Sequence, residues 1–222
     1  MKKILGLALI FVLGSFAALS AGTWTSYTGF GWNLPMDETF TADSYNNGEE
    51  VVLENQTGLE VIYMGIGQKG FAVKTSFDIN YSEINHEMNG VPYTGANVNL
   101  QLGAGFAPVR SDRFTLALFA VAGLDASAFY SESTNFDSAF SRDITSKYTE
   151  GQIGAMLGGN ITAAYTPSKS FSVFASCSVN HVTQGLYVLT AEFSDVYANS
   201  EDTYETNTAL KVIPTIGVCW KF

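Results

Sequence analysis

The stretch FAVKTSFDINYS, residues 71–82, decides the fold because its two sets of alternate residues differ in polarity. Phe71, Val73, Phe77, Ile79 and Tyr81 fall in one set, while the other set is largely polar and contains a lysine and an aspartate. Residues two apart share a face of a β-strand, whereas helical spacing does not separate these side chains. The stretch therefore predicts a strand with one apolar face and one polar face.

Seven further segments alternate in the same way, which brings the predicted strands to eight. They run over 24–33, 58–67, 96–106, 114–130, 153–165, 173–179 and 210–222. Short turns are predicted at 67–70, 108–113 and 167–170, and long polar links at 34–56, 85–94, 131–150 and 186–206. Alternation of tight turns with long loops is typical of an up-and-down antiparallel barrel.

The balance of apolar and charged residues indicates where such a sheet would lie. The chain is 46% hydrophobic and only 14% charged, yet beyond its first residues it has no apolar run long enough for a membrane helix. Hydrocarbon cannot satisfy backbone polar groups, and a closed sheet pairs all of them. We therefore predict an all-β fold, an eight-stranded antiparallel up-and-down transmembrane β-barrel with short periplasmic turns and long extracellular loops. A soluble β-sandwich or lipocalin-like barrel is the alternative.

Aromatic residues gather at the ends of the predicted strands, as expected of the two interfacial girdles of a membrane barrel. Those beside the tight turns are Phe71, Phe106, Phe114, Tyr165, Phe171 and Trp220, and those towards the long loops are Trp32, Tyr81 and Tyr130.

The first residues resemble a targeting segment. Lys2 and Lys3 precede an apolar run over 4–13 and a small-residue stretch over 15–22, the pattern of a secretory signal peptide. We expect residues 1–21 to be removed, leaving residues 22–222 as one barrel domain with both mature termini in the periplasm.

Charge is distributed unevenly along the chain, whose formal net charge is -10. The long links hold most of the acidic residues, and the tight turns carry Lys69, Arg110, Arg113 and Lys169 against Asp112 alone. An acidic rim is predicted from Asp37, Glu38, Asp43, Glu49, Glu50, Glu192, Asp195, Glu201, Asp202 and Glu205. This rim is expected to be solvated; binding of divalent cations or of a cationic partner is the functional alternative. The acidic balance argues against nucleic acid, and nothing in the sequence predicts a metal or a cofactor.

The polar face of the strands is expected to line the barrel interior. The predicted lumen residues are Glu60, Ile62, Met64, Lys74, Asp78, Phe119, Asp125, Met156, Phe174 and Lys211. Eight strands leave room for little besides side chains, so a packed interior with paired charges is one expectation. A narrow conduit for small hydrophobic molecules is the other.

The final segment, LKVIPTIGVCWKF over residues 210–222, alternates and ends in Phe222. It resembles the C-terminal signal of bacterial outer-membrane barrels, and the whole pattern is similar to the OmpX, OmpW and OmpA-transmembrane class. The resemblance implies a place in the bacterial outer membrane, contact with its lipid, and recognition by the barrel-assembly machinery through Trp220 and Phe222. It implies an OmpW-like conduit for small molecules, hydrophobic ones among them, or an OmpX-like structural or adhesive surface protein that binds a ligand through its loops.

One set of residues is faintly similar to a lipid-modifying outer-membrane enzyme, the lipid A 3-O-deacylase class. His181 and Thr183, followed by Glu192, resemble its His-x-Ser pair and downstream Glu. Because threonine replaces the serine nucleophile, we expect no enzymatic activity, and the lipid-modifying enzyme is only a remote alternative.

Overall fold

The computed structural model describes residues 24–42, 50–84, 93–137, 142–193, 196–203 and 207–222. The predicted signal peptide, residues 1–21, lies outside the described residues, as do Asp43, Glu49, Asp195 and Glu205 of the predicted acidic rim. The described residues form nine strands: β1 (Trp24–Ala42), β2 (Glu50–Gly67), β3 (Phe71–Ile84), β4 (Tyr93–Arg110), β5 (Phe114–Asp137), β6 (Arg142–Tyr165), β7 (Phe171–Phe193), β8 (Val196–Thr203) and β9 (Asn207–Lys221).

Eight of these strands close into a ring. Sequence neighbours from β1 to β7 pair antiparallel, β7 also pairs with β9, and β9 pairs with β1. Thr28 lies opposite Trp220 at this last seam, so the first and last strands are joined. The all-β, eight-stranded antiparallel barrel predicted from the alternation is confirmed. Strand β8 stands outside the ring and pairs with β7 only, as far as the described residues show.

The two faces of the sheet reverse the usual distribution of polarity. Leu157 and Leu210 point outwards with 65% and 62% of their surface exposed, while Lys74 and Lys211 point inwards and keep 2% and 1%. A water-soluble protein buries leucine and exposes lysine. An apolar exterior around a polar interior is the arrangement of a barrel surrounded by lipid.

Aromatic side chains near the tight turns stand side by side on neighbouring strands. Phe71 lies opposite Phe106, Phe114 opposite Tyr165, and Phe171 opposite Trp220. All six are exposed on the outer face, as the girdle beside the tight turns requires. Tyr81 and Tyr130 are exposed towards the other end, whereas Trp32 lies only four residues beyond Thr28, the partner of Trp220, and so falls between the two ends.

Three tight turns, at 68–70, 111–113 and 166–170, close one end of the barrel, here called the tight-turn end. In the first, Gly70 has a φ of 90° and its carbonyl accepts a 2.7 Å hydrogen bond from the Ala107 N–H. Glycine adopts this left-handed backbone without the steric cost that a Cβ brings. The opposite end is called the long-loop end.

The strands continue well past the boundaries expected from the sequence. The predicted links 34–56, 131–150 and 186–206 contain the ends of β1, β5 and β7, the beginnings of β2 and β6, and all of β8. Ladder hydrogen bonds need no apolar face, and Ser, Thr and Tyr are acceptable strand residues where both faces meet water. The links are long, as expected, but the strand boundaries predicted at these three links are wrong, because much of each link is strand. Most of the fourth, 85–92, lies outside the described residues.

Candidate functional site in the barrel interior and the outer sheet

The interior is filled by side chains from all eight strands of the ring. The structure places each predicted lumen residue inside the barrel, with at most 5% of its surface exposed. These are Glu60, Ile62, Met64, Lys74, Asp78, Phe119, Asp125, Met156, Phe174 and Lys211. Side chains an even number of residues apart on one strand point to the same face. Each of these residues therefore points inwards with the other buried residues of its strand that share its parity.

The charged side chains of the interior are held in direct contacts. Lys74 Nζ lies 3.0 Å from Glu60 Oε1, between the neighbouring strands β3 and β2. Lys211 Nζ lies 3.0 Å from Asp125 Oδ2, between β9 and β5. A buried charge without a partner is costly, so both cations are fixed by the carboxylates they neutralise.

The Lys211–Asp125 pair lies at the centre of a polar cluster. Lys211 also donates a 2.6 Å hydrogen bond to Asn97 Oδ1, and Asn97 Nδ2 donates to Asp125 Oδ2 at 3.0 Å. The second carboxylate oxygen, Oδ1, accepts a 3.0 Å bond from Gln184 Nε2. Strands β4, β5, β7 and β9 are thereby connected across the lumen.

A second polar cluster surrounds Asp78 on β3. Asn33 Nδ2 donates to Asp78 Oδ1 at 3.1 Å and to Asn80 Oδ1 at 2.7 Å, and Thr215 donates to Asn33 Oδ1 at 2.7 Å. Gln101 Nε2 lies 3.4 Å from the other Asp78 oxygen. This carboxylate therefore receives neutral donors from β1 and β4.

Towards the tight-turn end the interior becomes apolar. Its buried cluster includes Tyr27, Ile62, Met64, Ile66, Phe119, Val121 and Phe174. The Tyr27 hydroxyl lies 2.9 Å from the Thr115 hydroxyl, which joins β1 to β5. Three strands separate β1 from β5 on either side of the ring, so this contact crosses the full width of the lumen.

Two contacts therefore bridge opposite walls at different heights. Tyr27–Thr115 does so near the tight turns and Lys211–Asn97 towards the long loops, where β9 and β4 are likewise separated by three strands on either side. These two contacts and the packed side chains between them narrow the described part of the interior.

Several members of these clusters were not among the predicted site residues. Asn33, Tyr27 and Thr115 have the inward parity of their strands, so alternation could have indicated their direction. Alternation could not have indicated which residue of a distant strand each would contact. Gln184 lies beyond Val179, where the predicted strand ended, so alternation along that strand did not assign it a face.

The set that resembled a lipid-modifying enzyme is not brought together. His181 and Thr183 are both exposed on the outer face of β7. Strand β7 runs without interruption to Phe193, which places Glu192 about 30 Å further along the strand at roughly 3.3 Å per residue. A general base and nucleophile need an orienting carboxylate within hydrogen-bond distance, and Glu192 cannot reach them in this arrangement.

Beyond the long-loop end of the ring, four strands continue as an open sheet. It consists of residues 131–137 of β5, 142–149 of β6, 187–193 of β7 and all of β8, and we call it the outer sheet. The last pair between β4 and β5 is Thr94–Tyr130, so above it the described part of β5 pairs with β6 only.

The described residues of the predicted acidic rim lie at this end of the molecule. Asp37 is exposed near the outer part of β1, and Glu38, Glu50, Glu192, Glu201 and Asp202 occupy outer strand positions. Across the described part of the chain, no group of three or more His, Cys, Asp or Glu is arranged to hold a metal ion. The described segments also include no helix whose length and apolar character would suit a membrane crossing.

Comparison with known proteins identifies the fold. No family model and no curated protein matches the sequence. The structure is similar to the crystal structure of a major outer membrane protein from Thermus thermophilus, with a TM-score of 0.55 and 12% identity over 89% of this chain and 99% of that one. It is also similar to the outer membrane protein OprG from Pseudomonas aeruginosa, with a TM-score of 0.50 and 11% identity over 90% of this chain and 95% of that one.

The fold is thus that of the small β-barrels of bacterial outer membranes, which confirms the resemblance inferred from the sequence. At 11–12% identity the similarity establishes the fold and leaves the activity to be argued from this chain's own residues.

Proposed function

We propose that this protein is an integral β-barrel of the bacterial outer membrane that acts as a surface-binding protein through its outer sheet. The observation that carries the proposal is the continuation of β5, β6 and β7 beyond the ring, joined there by β8. In this arrangement residues 1–21 direct export, the tight turns face the periplasm, the outer sheet faces the exterior, and Trp220 and Phe222 are presented to the assembly machinery.

The bridged interior supports a role at the surface rather than in the lumen. Two ion pairs and two contacts across the ring give the barrel a filled core. A filled core holds the bases of β5, β6 and β7 in fixed positions, so the outer sheet rises from a rigid support. Binding residues placed on rigid elements lose less entropy when a partner docks.

The edges of the outer sheet indicate the kind of partner. In the described residues β8 has β7 on one side only, and residues 131–137 of β5 have β6 on one side only. A free strand edge presents unpaired N–H and C=O groups that can accept another extended strand. A partner that offers an extended, cationic segment would satisfy both these groups and the acidic residues Glu201 and Asp202 of β8.

This function can be tested with a soluble ten-residue peptide that alternates Thr and Lys, compared with the same peptide methylated on alternate backbone nitrogens. We expect the unmethylated peptide to bind the detergent-purified barrel, and the methylated one to bind at least tenfold more weakly, because methylation removes the ladder donors. Replacing 196–203 by a Gly-Ser linker should weaken binding of the unmethylated peptide, because the β8 edge and its acidic residues are lost.

The matched control is the double variant Glu201→Gln/Asp202→Asn, which keeps the backbone of β8 and removes two charges. It should weaken both peptides alike and preserve the ratio between them. Equal binding of the two peptides to the unmodified barrel would exclude recognition through the strand edge.

A narrow conduit for small molecules, hydrophobic ones included, is the second candidate. The apolar cluster of Ile62, Met64, Phe119 and Phe174 favours it, because such a lining would suit apolar solutes. Passage would require both the Tyr27–Thr115 and the Lys211–Asn97 contacts to open. Conductance and solute uptake in lipid vesicles distinguish the two functions, because a surface-binding protein should show neither while still binding the peptide.

A further inference from the structure

The tight-turn end of the barrel contains a pocket that neither proposed function uses. It has a volume of about 310 Å³, and its lining includes Tyr27, Arg110, Ser111, Asp112, Thr115 and Lys221. The Tyr27–Thr115 hydrogen bond lies among these residues and crosses the barrel, so it closes the inner side of the pocket. The pocket is therefore a recess that opens away from the lumen.

The rim of this recess is held in place by hydrogen bonds between neighbouring turns. Arg110 Nη1 donates to the Gln68 carbonyl at 2.5 Å, which joins the first and second turns. The Thr166 N–H donates to the Arg113 carbonyl at 2.7 Å, which joins the second and third turns. Lys221 Nζ reaches the Asp112 carbonyl at 3.0 Å. A rim fixed in this way positions its side chains before any ligand arrives.

Positive charge dominates the rim. Lys69, Arg110, Arg113 and Lys169 are exposed on the turns and Lys221 is half-buried, whereas Asp112 is the only acidic residue in these turns. No carboxylate forms an ion pair with any of the five cations within the described part of the chain. Arg110 and Lys221, the two that line the pocket, bond to backbone carbonyl oxygens instead of a carboxylate.

The donors that remain free define the ligand class. A guanidinium has five N–H donors and an ammonium three, so Arg110 and Lys221 each retain several after their carbonyl contacts. The hydroxyls of Thr25, Tyr27, Ser111 and Thr115 also line the pocket. Asp112 also lines the pocket, but the two cations outnumber it and the hydroxyl groups add further donors. This lining suits an oxyanion, and the planar fork of arginine matches a phosphate in particular.

We propose that this pocket binds a phosphate-bearing ligand at the tight-turn end of the barrel. The phosphate belongs either to a phospholipid headgroup at this end of the barrel or to a soluble phosphate ester. The recognition chemistry is the same for both sources, and the two arms of the experiment separate them.

The first arm is isothermal titration of the full barrel, folded in an uncharged sugar detergent, with inorganic phosphate and with glycerol 1-phosphate. We expect saturable binding at one site. Arg110→Gln and Lys221→Gln should each weaken it about tenfold, since each removes a charge-assisted hydrogen bond. Arg113→Gln, which removes a rim charge outside the pocket lining, should change it less than about threefold.

The second arm measures lipid. The barrel is extracted from vesicles of phosphatidylcholine containing a minority of phosphatidylglycerol, and retained lipid is counted by native mass spectrometry. Retention of one phosphatidylglycerol that is lost in Arg110→Gln but kept in Arg113→Gln identifies the ligand as a headgroup; saturable glycerol phosphate binding without retention identifies a soluble ester.

Two results would overturn the proposal. One is the absence of saturable binding of either phosphate in the first arm together with no selective lipid retention in the second. The other is an equal loss of binding in Arg110→Gln, Arg113→Gln and the distant Lys147→Gln, which would show only general charge attraction. Circular dichroism of each variant confirms that the barrel is folded.

Discussion

Lys211 and Asn97 lie on strands that face each other across the ring, and Lys211 Nζ nevertheless donates a 2.6 Å hydrogen bond to Asn97 Oδ1. The lysine side chain is long enough to cross much of an eight-stranded barrel, and its charge is neutralised on the far wall by Asp125 at 3.0 Å. One side chain thus fixes the distance between opposite walls.

Removing this charge should destabilise the barrel strongly. Lys211→Met leaves Asp125 buried without a cation, and breaking a buried pair in this way costs about 3–5 kcal/mol. The double variant Lys211→Met/Asp125→Asn should recover much of the loss because no charge is left unpaired. Guanidinium unfolding in detergent, followed by circular dichroism, measures both. Lys147→Met, which breaks the exposed pair with Glu132, should cost at most about 1 kcal/mol.

The Tyr27–Thr115 and Lys211–Asn97 contacts cross the lumen at different heights, so we expect that both must be removed before ions can pass. Tyr27→Ala and Lys211→Ala each remove one bridge, while the other still spans the lumen, so we expect little conductance from either variant in planar bilayers. The double variant should conduct in discrete steps. If either single variant conducts as well as the double, the remaining contact does not obstruct the lumen.

The aromatic girdles should be detectable by the depth of tryptophan in the bilayer. Trp220 is exposed on the outer face opposite Thr28, beside the tight turns, and Trp32 is exposed four residues beyond Thr28 on β1, about 13 Å further along at roughly 3.3 Å per residue. In single-tryptophan variants, we expect bromine near the headgroup end of the acyl chain to quench Trp220 most strongly, and bromine nearer the bilayer centre to quench Trp32 more than it quenches Trp220. Insensitivity of both residues to brominated lipid would contradict the membrane orientation of this face.

The two cysteines should differ in reactivity and should not pair with each other. Cys219 is buried inside the barrel opposite Ser172, whereas Cys177 has outward parity and lies opposite Pro214, five residues further along β7. Thiols on opposite faces at this separation are beyond disulfide reach. A small apolar maleimide should label Cys177 in the folded barrel and Cys219 only after unfolding. A crosslinked species in a non-reducing mass spectrum would contradict this register.

Alternation predicts the ring well because every strand of the ring separates lipid from a polar lumen. Lys74 and Asp78 are inside, and Phe77 and Ile79 are on the other face, for that reason alone. The same signal weakens beyond Tyr130, where Ser131, Glu132 and Thr134 are all polar and alternation no longer distinguishes two faces. This part of the outer sheet could therefore not be predicted from polarity.

The contacts within the interior could be predicted only in part. Parity places Asn33 and Asp78 inside, but their hydrogen bond joins β1 to β3 across the width of β2. Such a contact depends on the tilt and curvature of the closed sheet, and no local pattern along either strand records these. The pairing of Lys74 with Glu60 is easier to anticipate, because these residues lie on strands joined by a tight turn.

The seam between β1 and β9 has a consequence for biogenesis. Thr28 finds its partner in Trp220 only after all the strands between them have been made. Until then the unclosed sheet has an unpaired strand edge on each side and an exposed apolar face. It must therefore be shielded from water and from other copies of itself during transit. Ring closure is then the final step of maturation, and the reverse process, rupture of that same seam, is where unfolding should start.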